Sequence, residues 1–452
     1  MISRTERIFM QAKVGFISLG CPKNEVDCEM MLARVAKAGY TIVPEDIDAD
    51  VVIVNTCAFI ESAKEEAIEN ILDLAWLKEN RSLKGIIVTG CLAQRYFDEI
   101  QNEIPEVDAA LSLGDEVHIC EAIEKVMAGE KYFRHSDASL LEMEGDRVVT
   151  HDSFAYLRIS EGCDNRCAYC AIPGIRGNLR SRPMENILEE AKTLSEMGLR
   201  EIVIVAQDTT MYGKDLYGRL ALPELLEKLA DPALGFRWIR LMYCYPDKVT
   251  EQLCQVMAKY DNICKYIDLP VQHISDNVLE KMNRHGGSEA IYRAVELLRK
   301  YMPDIAIRTT VMVGFPGEKD KDFSLLSNFV KETKFQRLGA FIYSREEGTA
   351  AYTMENRTTK KTKEGRLTSI MQTQLPIAEA YNESFVGKTV EVICEGYDPG
   401  IRKYFGRTQY HAPEIDGAVY FSSKKKEIPV GTFLNVKIEE AMDYDLIGNE
   451  EN

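Results

Sequence analysis

Glu161-Gly-Cys-Asp-Asn-Arg-Cys-Ala-Tyr-Cys170 carries three cysteines, Cys163, Cys167 and Cys170, in a CxxxCxxC run. Three thiolates can hold three irons of a 4Fe-4S cluster and leave the fourth iron without a protein ligand, free to bind a small molecule. The competing reading is zinc, but a closed tetrahedral zinc site needs a fourth Cys or His at short range. The next histidine downstream is His273. The surroundings of the run set the fold. From Phe154 onward six apolar strand candidates alternate with helical stretches: Phe154 to Ile159, Glu201 to Ala206, Arg237 to Tyr243, Tyr266 to Leu269, Ala306 to Val313 and Leu338 to Tyr343. Six such repeats predict an open, partial (β/α)6 barrel rather than a closed eight-stranded one. In these barrels chemistry gathers at the carboxyl ends of the strands, and the cysteine run follows the first strand.

A second cysteine set lies upstream. Apolar runs Val14 to Leu19, Val51 to Val54 and Gly85 to Val88 end in Cys21, Cys57 and Cys91 respectively. Helical stretches Glu25 to Ala38 and Ser62 to Leu77 separate them, which predicts a doubly wound parallel sheet whose strand-end loops share one edge. Three thiols repeated at strand ends point to a second cluster. Burial as small hydrophobes is the alternative, and it suits Cys28, Cys120, Cys244, Cys254, Cys264 and Cys394, which lie within apolar patterns or alone.

The N-terminal sheet domain is expected over 13–128, closing with the strand Ala109 to Leu113 and a helix from Glu116 to Met127, followed by a linker at 129–153. The barrel with a helical connector spans 154–382. From 385 to 450, Val390 to Cys394, Tyr404 to Gln409, Ala418 to Phe421 and Phe433 to Glu439 read as short strands of a small five-stranded, all-β barrel. Other strand ends of the large barrel are polar: Gln207 to Thr210, Tyr243, Gln272-His273, Gly314 to Glu318 and Tyr343-Ser344. Gly314 and Gly317 permit close backbone approach by a ligand and equally suit a tight turn. Arg176, Arg180 and Arg182 are candidates to steer an anion, or form a solvated basic patch.

Fifty-five Lys and Arg stand against 72 Asp and Glu, a formal net charge of −17. Such a surface repels nucleic-acid phosphate on average and attracts cationic partners. Residues 385–452 share the bias, with 8 basic against 12 acidic residues. A basic protein loop is therefore the expected ligand of the small barrel, with Asp398, Glu414 and Asp416 as examples of docking residues. Twelve cysteines suggest a reducing, cytoplasmic setting with metal-ligating thiols. The opening Met1 to Lys13 lacks the apolar core of an export signal, and no apolar run approaches a membrane span.

Taken together, these features resemble the methylthiotransferase family of radical S-adenosylmethionine enzymes, and the resemblance covers nearly the whole chain. It implies an N-terminal three-cysteine cluster domain, a radical barrel and a C-terminal TRAM domain. Ser18-Leu-Gly-Cys-Pro-Lys-Asn24, Ala206-Gln-Asp-Thr-Thr210, Leu269-Pro-Val-Gln-His-Ile-Ser275 and Met282-Asn-Arg284 resemble the branch that modifies an aspartate of ribosomal protein S-twelve. The transfer RNA branch has Gln and Met in place of Pro22 and Lys23. Cys28 departs from the pattern, which carries Ser there.

The resemblance implies two 4Fe-4S clusters, on Cys21, Cys57 and Cys91 and on Cys163, Cys167 and Cys170, and S-adenosylmethionine, with Tyr169, Gln207 and Gly314 as candidate cofactor contacts. The barrel cluster would cleave S-adenosylmethionine reductively to a radical that takes a hydrogen from the aspartate β-carbon, and the auxiliary cluster would deliver the methylthio sulfur. The β-hydrogen is not acidic enough for a side-chain base, so the cofactor must supply this chemistry. Expected partners are ribosomal protein S-twelve, free or in the small subunit, an electron donor and a sulfur source, with neither membrane nor transfer RNA. Two other readings stay open: a transfer RNA adenosine methylthiotransferase, and a non-catalytic iron–sulfur protein docking on ribosome or RNA.

Overall fold

The computed structural model describes residues 12–44 and 48–451. The opening stretch through residue 11, on which the expectation of no export signal rests, lies outside them. Three units follow in chain order.

The first is a six-stranded sheet, all parallel: β1 (Lys13–Ser18), β2 (Thr41–Val43), β3 (Val51–Thr56), β4 (Gly85–Gly90), β5 (Ala109–Leu111) and β6 (Tyr132–Arg134), in spatial order 2-1-3-4-5-6. Period-two alternation along β3 builds two cores. Val51 and Ile53 pack with Met31 and Val35 of α1 (Pro22–Lys37). Val52 and Val54 face the other way, against Ala67, Ile71 and Leu74 of α2 (Glu61–Asn80). The chain goes from β1 outward to β2 and then back past β1 to β3, so the order reverses between β1 and β3. Doubly wound sheets open a crevice at this point. The strand β6 lies inside the stretch expected to be a linker, and farther on the buried Arg147 pairs with Glu29 and Glu190.

The second unit carries six parallel strands, β7 (Phe154–Arg158), β10 (Glu201–Val205), β11 (Trp238–Leu241), β12 (Ile263–Asp268), β13 (Ala306–Val313) and β14 (Arg337–Ile342), adjacent in that order and not closed. Between β7 and β10, the two-residue strands β8 (Ser160–Glu161) and β9 (Arg180–Ser181) pair antiparallel and pin the base of the loop that holds the CxxxCxxC run. Ala155, Leu157, Ile202 and Ile204 face the outer helices. Phe154, Tyr156, Val203 and Val205 face inward, where Val26 and Met30 of α1 and Ile393 and Ala412 of the third unit complete the core. The open barrel is thus sealed by its two neighbours, each fully buried Val or Ile contributing about 1.5–3 kcal/mol.

The third unit follows α3 (Lys360–Glu383) and is a closed five-stranded barrel: β15 (Thr389–Asp398), β16 (Lys403–Arg407), β17 (Val419–Ser422), β18 (Phe433–Ala441) and β19 (Leu446–Glu450). Its loop 408–417 is docked on the second unit. Tyr156 and Tyr266 donate hydroxyl hydrogen bonds to Glu414 (2.9 Å) and Asp416 (2.8 Å), and Glu201 is shared by Arg240 and Arg407. Glu414 and Asp416 both help hold the units together; Asp416 is buried in that contact, which corrects the expectation that it docks a partner, whereas Glu414 stays exposed. Asp398 accepts from the Gly400 and Ile401 amides and closes its own turn. No helix among the described residues is long and apolar enough to cross a membrane.

Candidate active site

The six predicted ligand cysteines, Cys21, Cys57, Cys91, Cys163, Cys167 and Cys170, line one cavity of about 480 Å³ between the first and second units. Cys21 precedes α1 and follows β1, Cys57 follows β3, and Cys91 opens a short helix directly after β4. Two glycines bring these loops together. A Cβ on Gly20 would stand 2.7 Å from the Cys57 Cβ, and one on Gly90 would stand 2.5 Å from the Thr56 carbonyl oxygen; both residues have positive φ. Glycine alone meets both demands.

Each triplet has a buried arginine at its sulfur. Arg176 donates from Nε to Cys91 Sγ at 3.4 Å and is fixed by Asn24 (3.2 Å), Asp27 (2.9 Å) and Glu161 (3.1 Å). Arg158 joins Asp27 and Glu161 in the same network. At the other triplet, Arg284 reaches Cys167 Sγ at 4.0 Å, donates to the Tyr169 hydroxyl (3.1 Å) and the Pro270 carbonyl (2.6 Å), and lies over the Tyr245 ring. Burial pushes the thiols of Cys91 and Cys170 up to about 12 and of Cys163 up to about 11. Cys21 differs: burial raises it, but the charges of Lys23 and Arg176 and two backbone amides prevail and hold it below the usual thiol value.

The donor set fits two clusters with an open iron each. No histidine lines the cavity among the described residues, and its two carboxylates are engaged, Asp208 by Asn165 and Thr210 and Asp268 by Arg308 and the Tyr243 amide. The one further cysteine in the lining, Cys244, is engaged with Thr209, which disfavours a closed zinc site. Gln207 Oε1 and Gln272 Oε1 are buried without a hydrogen-bond partner among the described residues, and both residues line the cavity. A buried orphan acceptor of this kind is costly unless something binds it. Tyr243 and Gln272, also in the lining, hold positive φ of 58° and 67°, backbone strain of the sort retained at functional sites.

Of the remaining candidates, Tyr169 and Gln207 are in the lining and Gly314 is not. The Gly314 N–H donates to Glu318 and its carbonyl accepts from Asn356 at 2.9 Å. Arg176 faces the cavity, whereas Arg180 donates to the carbonyls of Ala138, Ser139 and Leu141, and Arg182 to the Arg158 carbonyl and Asn186. Those two are anchors of the loop, not an anion-steering patch. His273 is buried away from the lining and accepts from the Ser275 amide. Cys28, Cys254, Cys264 and Cys394 are buried outside the cavity, Cys120 is half-buried, and Cys244 lies in the lining against Thr209. Sequence reasoning missed Lys23, Asp268, Arg284 and Arg308 as cavity residues. Lys23 and Arg284 do stand within the motifs that resemble the methylthiotransferase family, Asp268 closes a strand and Arg308 lies inside one.

The matching family models are the radical SAM superfamily over residues 157–330, the uncharacterized protein family UPF0004 over 13–112 and the TRAM domain over 386–450. Among solved structures, the radical S-adenosylmethionine methyltransferase TsrM from Kitasatospora setae is similar with a TM-score of 0.57 at 13% identity, covering 75% of this chain and 77% of that one. Fold and cavity thus define a radical S-adenosylmethionine protein. The ribosomal protein uS12 methylthiotransferase RimO of Lachnoclostridium phytofermentans is 46% identical, over 97% of this chain and 100% of that one. Its counterparts of the same name in Acetivibrio thermocellus and Clostridioides difficile are each 47% identical, over 97% of this chain and 98% of theirs. The chain belongs to the RimO family of methylthiotransferases. It is a radical S-adenosylmethionine enzyme that works with two 4Fe-4S clusters and S-adenosylmethionine.

Proposed function

We propose that this enzyme adds a methylthio group to the β-carbon of an aspartate in ribosomal protein S-twelve, in the cytoplasm, drawing electrons and sulfur from separate donors. The observation that carries the proposal is the convergence of both cysteine triplets on one cavity, in a chain nearly collinear with relatives named for this reaction. Cys163, Cys167 and Cys170 would hold one cluster and Cys21, Cys57 and Cys91 the other. Bound there, the clusters and S-adenosylmethionine supply the electron, the radical and the sulfur, none of which side chains provide. The protein supplies the setting. Arg176 and Arg284 set positive charge and hydrogen bonds against sulfur, which favours thiolate over thiol. Gln207 and Gln272 offer acceptors to a bound cofactor or substrate, Tyr169 is held in place by Arg284, and the exposed Phe59, Ile60, Phe341 and Ile415 give the cavity an apolar rim that a docked substrate would cover.

A nucleic-acid substrate has one observation in its favour. A groove of about 640 Å³ on the small barrel is lined by Arg402, Lys425 and Lys426 with Tyr397 and Tyr404, a local basic and aromatic face on an otherwise acidic unit. Mass spectrometry of ribosomal proteins and of digested transfer RNA, from cells with and without the gene, decides between the two. A methylthio group on an S-twelve aspartate that vanishes with the gene supports the proposal. Methylthioadenosine that vanishes instead, with S-twelve unmodified throughout, rejects it.

A further inference from the structure

Four cations line the cavity: Lys23, Arg176, Arg284 and Arg308. Three are committed. Arg176 is paired with Asp27 and Glu161, Arg308 with Asp268, and Arg284 spends its donors on the Tyr169 hydroxyl and the Pro270 carbonyl. Lys23 is different. It is 6% exposed, and no carboxylate stands within ion-pairing distance of its ammonium, nor does any acceptor hydrogen-bond it, among the described residues. Its ammonium lies over the face of Tyr243, 3.5 Å from Nζ to the ring centroid, and its charge also acts on Cys21.

That partner is itself held in a strained conformation. Tyr243 has φ 58°, and its place is fixed by its amide donating to Asp268 (3.1 Å) and its carbonyl accepting from the Thr209 amide (3.0 Å). An aromatic face steadies an ammonium but accepts none of its N–H bonds in the ordinary sense, so up to three donors remain for a ligand. The Lys23 side chain lines the cavity with no carboxylate paired to it among the described residues, so an anionic ligand bound there would gain a charge-assisted hydrogen bond.

We infer that Lys23 is a specificity residue that binds the side-chain carboxylate of the substrate aspartate. The inference rests on the substrate reading given above. Lys23 is two residues from Cys21, so its side chain belongs to the same loop as the N-terminal triplet. Holding the carboxylate fixes the β-carbon one bond away, on the side of the cavity from which the sulfur would come. Lys23 also compensates Cys21, whose thiol its charge and that of Arg176 hold down, and that role leaves its N–H donors available to a ligand.

The test uses the reconstituted enzyme without reductant, so that binding is read apart from turnover. The probes are ribosomal protein S-twelve and a version with asparagine at the position that the reduced wild-type enzyme modifies, located by mass spectrometry. Wild type should bind the aspartate form about tenfold more tightly than the asparagine form, the scale of one charge-assisted hydrogen-bonded contact. Lys23→Met should bind both forms within about twofold of each other, and Lys23→Arg should keep part of the preference. Iron content and circular dichroism of each variant report its folding and cluster loading. If Lys23→Met keeps the tenfold preference, or loses S-adenosylmethionine affinity with that preference intact, the assignment is overturned alone. If wild type modifies no position of S-twelve, the substrate reading falls and the assignment with it.

Discussion

At the scale of single residues the cavity depends on groups that are not themselves reactive. Gly20 sits where a Cβ would strike Cys57, at φ +104°. Gly20→Ala should therefore push the β1 and β3 loops apart and spoil the N-terminal triplet while leaving the barrel triplet whole. Anaerobically reconstituted wild type should carry about eight irons and Gly20→Ala about four; eight irons in the variant would remove the N-terminal ligand assignment. Glu116 offers a test of a different kind. Burial, then the nearby Asp27, push its carboxyl up to about 8, against Arg176, Arg158 and a hydrogen bond from Thr89. The folded state then binds a proton that the unfolded chain has released, so stability falls as pH rises from about 4.5 to about 8. Glu116→Gln keeps the neutral shape, and should match wild type in denaturant midpoint near pH 4.5 and exceed it at pH 8.5. That the six cysteines would meet at one edge was foreseeable from sequence because a strand end is a place that local pattern defines. Lys23 and Arg284 stood in family-like motifs, but their place in the cavity was not readable, because it depends on which partners surround them after the units have packed. Arg180 and Arg182 show the converse, basic residues whose carbonyl partners lie on segments no local pattern links to them.

Among elements, α1 carries the greatest burden. It begins at Pro22, three residues before the amphipathic pattern becomes visible, because proline is at ease in a first helical turn where its missing N–H has no partner to lose. Its buried face is polar as well as apolar: Asn24, Asp27 and Glu29 are all within 3% of full burial, and they meet Arg176, Arg158 and Arg147 of the neighbouring segments. This network fixes the N-terminal triplet relative to the barrel triplet. Removing one partner strands the opposite charge in a dry interior, so Asp27→Ala should lower unfolding free energy by about 3–5 kcal/mol in equilibrium denaturation. A loss below about 1 kcal/mol, the scale of an exposed pair, would show the network to be solvated. The long strands of both parallel sheets were readable to within a few residues, since buried parallel strands are continuous apolar runs. The short edge strands β2 and β6, three residues each, were invisible for the same reason, being too brief to carry a period. The last barrel strand, β19, has only two apolar residues in Leu446–Glu450 and is recognisable only by its pairing with β17 and β18.

Over the whole molecule, charge is the property that composition revealed and sequence could not distribute. The net of −17 favours a cationic partner, but the acidic residues first suggested for docking are in part spent on the contact between units, as Glu414 and Asp416 show. The better candidates are Glu439, Glu440 and Asp443, exposed on the end of β18 and the turn beyond it, with no ion-pair partner among the described residues. Reversing all three to Lys should lower kcat/KM on ribosomal protein S-twelve, on the order of three- to tenfold at low ionic strength, by slowing encounter. Because the residues lie outside the cavity lining, uncoupled cleavage of S-adenosylmethionine should stay near the wild-type rate. Raising salt toward 0.5 M should narrow the difference, since exposed charges are screened over less than about 10 Å above 0.1 M. A phosphate-bearing substrate predicts the opposite sign, because added lysines strengthen capture of phosphate. Rates measured on both substrates with one triple variant separate the cases: a variant slower on S-twelve and indifferent to transfer RNA fits a cationic protein partner, and a variant faster on transfer RNA with S-twelve unaffected would assign the surface to nucleic acid.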